Sequence, residues 1–75
     1  MSLSETLKSI RQRAFLSQEA FSKELNVSMA TINRWENGKA KPNISAMNKL
    51  KTFCESKKLP FEDIENEWFR MNTEE

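Results

Sequence analysis

Apolar residues recur at helical spacing along most of the chain, and polar caps divide them into five short segments. Leu3, Leu7, Ile10 and Ala14 stand three or four residues apart, the period of one helix face. Ser2 and Glu5 precede them at capping-box spacing, so a first helix is expected to run to about Ala14. Phe15 and Leu16 are apolar but come before a fresh cap at Ser17. A second helix begins there, with Glu19 near its positive end and Ala20, Phe21 and Leu25 on its apolar face. Small Ser22 leaves room for another helix to approach closely. Asn26, a residue type that tolerates left-handed backbone, ends the pattern, Val27 plugs the turn, and Ser28 caps a third helix over about Met29–Asn37. Ile32 and Trp35 are its buried residues, and Gly38 is its expected left-handed terminator.

The segment Lys39–Asn43 reads as a loop, because Pro42 breaks a helix interior. A fourth helix is expected from about Ser45 to Ser56, with Met47, Leu50 and Cys54 inward and Phe53 beside them. After Leu59-Pro60, a last amphipathic helix over about 61–71 places Phe61, Ile64, Trp68 and Met71 on one stripe, with Phe69 adjacent. The pattern predicts an all-α, five-helix protein forming a single domain over 1–75. Helices two and three are joined too tightly to lie flat, so a helix-turn-helix is expected between them. Trp68, Phe69 and Met71 exceed the needs of a small core. They are expected at a homodimer contact, with packing on helix one as the alternative.

Composition narrows the function. The 75 residues contain no His, one Cys and one Gly. Losing the commonest general base and metal ligand, and any Gly-rich phosphate loop, argues against an enzyme and predicts no cofactor and no metal site. Cys54 reads as a small buried hydrophobe rather than a redox sensor. The apolar runs are too short to span a bilayer, no signal-peptide pattern opens the chain, and a lone Cys fits a reducing, cytoplasmic setting. Net charge is only +1, yet it is unevenly distributed. Residues 1–58 hold eleven Lys and Arg against five Glu, whereas residues 59–75 hold one Arg against six Asp and Glu. A basic body with an acidic end can meet a polyanion on one side only.

The outward side of helix three then acquires a meaning. Met29, Ala30, Thr31, Asn33 and Arg34 fall away from Ile32 and Trp35, and a helix of this kind fits the major groove of B-DNA. Arg34 suits a bidentate contact to guanine and Asn33 an adenine edge, the alternative for Asn33 being a water-facing side chain. Thr31 offers a hydroxyl and a methyl, and Met29 and Ala30 suit thymine methyls. Ser17 and Gln18, at the start of helix two, present backbone N–H groups to an anion. Asn37, Lys39 and Lys41 form a polar, basic loop suited to phosphate.

The stretch Leu16-Ser-Gln-Glu-Ala-Phe-Ser-Lys-Glu-Leu-Asn-Val-Ser-Met-Ala-Thr-Ile-Asn-Arg-Trp-Glu-Asn-Gly-Lys39, followed by Pro42, resembles the XRE/Cro/C1 helix-turn-helix family. The resemblance covers about Leu3 to Ile64 and implies a five-helix, phage-repressor-like DNA-binding fold that usually binds operators as a dimer. It implies phosphate contacts at Gln18 and Asn37, base reading at Met29, Ala30, Asn33 and Arg34, and a DNA contact at Thr31. It also implies a structural ion pair between Arg11 and Glu36. Asn26 stands where the family usually has Gly, and Met29 and Ala30 replace Gln-type readers. The function expected is a sequence-specific transcriptional regulator, a repressor acting as a homodimer on two-fold-related double-stranded DNA. The alternatives are an antitoxin of the same fold with a toxin partner, and a protein-interaction module.

Overall fold

Five helices follow one another in the computed structural model, which describes residues 2–73 and side chains as far as Arg70. They are α1 (Leu3–Arg13), α2 (Gln18–Leu25), α3 (Met29–Glu36), α4 (Ile44–Lys57) and α5 (Glu62–Thr73). The protein is all-α among the described residues, as the spacing predicts. The Ser2 hydroxyl accepts from the Glu5 N–H while the Glu5 carboxylate accepts from the Ser2 N–H, so both halves of the capping box form. Ser17, Ser28 and Asn43 cap α2, α3 and α4 by accepting from the N–H of Ala20, Thr31 and Ala46. Asn43 thus starts α4 slightly earlier than expected. Its side-chain carbonyl accepts at 2.8 Å, a role that Pro42 beside it cannot fill for want of a suitable side chain.

The first four helices end alike. Leu16, Val27, Lys39 and Leu59 each donate back across the last turn to Arg11, Ser22, Arg34 and Cys54, closing a tight reverse turn. Such a turn needs one left-handed residue, and the four are Phe15 (φ 59°), Asn26 (φ 55°), Gly38 (φ 73°) and Lys58 (φ 59°). At Gly38 the nearest atom to an added Cβ is Ser4 Oγ at 3.9 Å, so backbone conformation rather than crowding selects glycine there. After three of these turns an apolar residue, Leu16, Val27 or Leu59, folds back against the core.

The core draws on every helix: Leu3, Leu7 and Ile10, then Phe21 and Leu25, Ile32 and Trp35, Met47, Leu50, Phe53 and Cys54, and Ile64 with Trp68. Phe21 and Phe53 meet edge to face at 5.1 Å, fastening α2 to α4. α2 packs on α3, and α1 packs on both α3 and α5. The expectation that Trp68 is surplus to the core is corrected here. It is 8% exposed, and its indole N–H donates to the Pro42 carbonyl at 2.7 Å, because α5 lies back over the rest of the chain. Phe69 meets it edge to face and stays outside, and the side chain of Met71 lies outside the described residues. No helix among the described residues is long and apolar enough to cross a membrane.

Candidate nucleic-acid interface

The α2–α3 unit is fixed from behind by one ion pair. Arg11 donates through Nε and Nη2 to the two oxygens of Glu36 at 2.8 and 3.1 Å, and through Nη1 to the Leu16 carbonyl at 2.9 Å. Both side chains are nearly sealed from solvent, where a bidentate, charge-assisted pair is directional as well as strong. The sequence-expected pair of Arg11 and Glu36 is therefore present, and it ties α1, the α1–α2 turn and α3 into one body.

From Glu36 a chain of hydrogen bonds runs outward. Gln18 Nε2 donates to Glu36 at 3.1 Å, Asn33 Nδ2 donates to Gln18 Oε1 at 3.4 Å, and Asn37 Nδ2 donates to Asn33 Oδ1 at 3.0 Å. Gln18, Asn33 and Asn37 were expected in separate roles, two at phosphate and one at a base edge. The structure brings them together into a single row, so that each amide holds the next in orientation. Asn33 is exposed, and its amide is held between those of Gln18 and Asn37.

The outward side of α3 is otherwise bare. Met29, Ala30, Asn33 and Arg34 are all exposed, and Met29, at 52% exposure, is a large apolar side chain with no neighbour to bury it. Thr31 is half-buried, its hydroxyl shared with the capping hydroxyl of Ser28 at 2.8 Å. Beside this face lies the start of α2. The Ser17 hydroxyl is engaged by Ala20, so the first N–H groups of α2, those of Gln18 and Glu19, are the ones a helix leaves without an internal partner. With the positive end of the helix dipole they make a ready anion site.

On the far side of α3, Asn37 and Lys39 are exposed on the loop that leaves it. Lys41 is turned toward α5, its ammonium 5.9 Å from the centre of the Trp68 ring. A hollow between α3 and α4 is lined by Thr31, Lys41, Asn43, Ser45 and Lys49. Lys49, which also lies 3.5 Å from the Asn26 carbonyl, joins the basic groups around α3 and was missed by the sequence reading. Its only advance signal was a Lys in the first half of a helix whose start was placed slightly late.

Cys54 belongs to none of this. It is fully buried, and burial, with Glu55 adding, pushes its thiol up to about 11, so it stays protonated and unreactive. Among the described residues no group of His, Cys, Asp and Glu is placed to hold a metal.

A family model described as Helix-turn-helix (HTH_3) matches residues 7–55, which takes in most of α1 and all of α2 and α3. No curated protein and no solved structure matches the chain. With a match over well more than half its length and a bare, polar third helix braced by the second, the chain belongs to the XRE/Cro/C1-type helix-turn-helix family of DNA-binding regulators.

Proposed function

We propose that this protein is a sequence-specific transcriptional repressor that binds a two-fold-related operator as a homodimer, with α3 in the major groove. The observation that carries the reading is the outer face of α3, where Met29, Ala30, Asn33 and Arg34 stand exposed side by side. Arg34 reads guanine and Asn33 reads adenine. Ser17, Gln18, Asn37, Lys39 and Lys41 hold phosphates on either side and fix the register.

The homodimer reading rests on a groove between α4 and α5. Ile44 and Phe69 flank it at 64% and 54% exposure, and Met47, Phe61 and Trp68 form its floor. Lys51 on α4 and Glu65 on α5 stand on its rims, and a two-fold axis through the groove would pair each with the other on the partner. The antitoxin reading puts a basic toxin against this same acidic helix instead, and co-purification of such a protein would favour it.

Selection of bound sites from random DNA tests the proposal. The expected result is a symmetric consensus whose halves lie about one helical turn, roughly 34 Å, apart. Arg34→Ala should remove discrimination between the consensus and random duplex, and Lys39→Ala should weaken binding to both about equally. Enrichment of no sequence by the wild-type protein would refute the reading.

A further inference from the structure

The α1–α2 turn carries the most exposed large apolar residue described, Phe15, at 96% exposure. Its backbone is left-handed, with φ 59°, a conformation that a bulky side chain adopts at an energetic cost and glycine adopts freely. The backbone conformation closes the turn that returns Leu16 to the core, but the ring itself gains nothing in the isolated molecule. A large apolar ring left in solvent at a position the fold holds firmly points to a contact outside the chain.

The turn is firm. The N–H groups of Phe15 and Leu16 donate to Gln12 and Arg11, Arg11 donates in turn to the Leu16 carbonyl, and Leu16 packs against the core. The backbone that carries the Phe15 ring is therefore held by the same Arg11 that holds Glu36 and, through it, Gln18. Ser17 opens α2 two residues on, so the ring belongs to the rigid body that offers N–H groups to phosphate. Basic residues predominate in this stretch of sequence. Between Glu5 and Glu19 stand Lys8, Arg11 and Arg13 with no acidic residue, and of the three Arg11 is paired with Glu36 while Lys8 and Arg13 are exposed. A polyanion fits that surface, and a nucleic-acid strand also offers apolar sugar faces between its phosphates.

We propose that Phe15 is a DNA-backbone contact, its ring laid on the deoxyribose next to the phosphate held at the start of α2. The contact rests on the DNA-binding reading and adds an apolar component to a rim otherwise made of charge and hydrogen bonds. Because it touches sugar rather than bases, it strengthens binding to every sequence alike. Because it carries no charge, it leaves the salt dependence unchanged.

The test uses the full chain with Phe15→Gly, Phe15→Asn and Arg13→Ala. Each is titrated by fluorescence anisotropy onto a selected site and a random duplex across a salt series. Both Phe15 variants fit the left-handed backbone, so both should melt at or above the wild-type temperature. Both should bind the two duplexes about five-fold more weakly, with the ratio between duplexes and the salt slope unchanged. Arg13→Ala serves as the contrast, expected to flatten the slope. Unaltered affinity in both Phe15 variants would overturn the contact while leaving the DNA-binding reading intact. A changed ratio between duplexes would overturn its placement on the sugar. Failure of the wild-type protein to bind either duplex would remove both readings together.

Discussion

Glu36 accepts three hydrogen bonds, two from Arg11 and one from Gln18, through a side chain only 4% exposed. Removing one partner of a buried pair strands the other charge, which costs far more than the pair's net worth. Glu36→Gln should therefore lower stability by about 3 kcal/mol, read from the midpoint of urea unfolding. Arg11→Met combined with Glu36→Leu should recover most of that loss, since apolar replacements of similar size leave no orphaned charge. A shift below about 1 kcal/mol for Glu36→Gln would mean the pair is solvent-screened. Side-chain identities on α3 were legible before the structure, because helical spacing from Ile32 and Trp35 fixes which residues face out. The row from Glu36 through Gln18 and Asn33 to Asn37 was not. It depends on how close α2 and α3 approach, and spacing along one helix says nothing of that distance.

The elements differ in how openly they announce their ends. Asn26 and Gly38 declare a left-handed turn by residue type, and the structure places both there. Phe15 and Lys58 adopt the same conformation with no such signal. What forces them is the apolar residue that follows, Leu16 or Leu59, which reaches the core only if the chain reverses. Exposed Lys58 gains nothing in exchange for its backbone, so Lys58→Gly should raise stability by about 1 kcal/mol. Asn26→Gly should change it little, because Asn already tolerates the conformation. Thermal melts of the two variants check this, and a drop in melting temperature for Lys58→Gly would show that the lysine side chain contributes more than its backbone loses. The start of α4 and the destiny of Trp68 were the other places where spacing fell short. An amphipathic stripe identifies a buried face without saying whether the chain's own helices or a second copy cover it.

At the level of the whole molecule, the core is larger than the stretch that carries the family's signature. Leu3, Ile64 and Trp68 all lie outside the matched residues 7–55 and are all buried. α5 contributes two of these and covers α1. Losing a buried Ile and Trp together removes roughly 5–10 kcal/mol of packing, as much as a domain of this size has in total. A chain ending at Lys58 should therefore show little helical circular dichroism and no cooperative melt. A sharp transition in that fragment would show that α5 is dispensable to folding. The acidic residues of α5 and the basic body also share one molecule, so the modest net charge conceals a surface able to meet an anion on one side.

The bond from Trp68 to the Pro42 carbonyl has a temporal meaning. On the ribosome, the loop bearing Lys39 and Lys41 emerges well before the indole that fastens it. A nascent chain that has emerged only as far as α3 is still without its clasp, and the loop is fastened only once α5 has followed. Proteolytic nicking near Leu59 would reverse that order, freeing the loop first and, with Ile64 and Trp68 no longer held in the core, the rest of the fold after it.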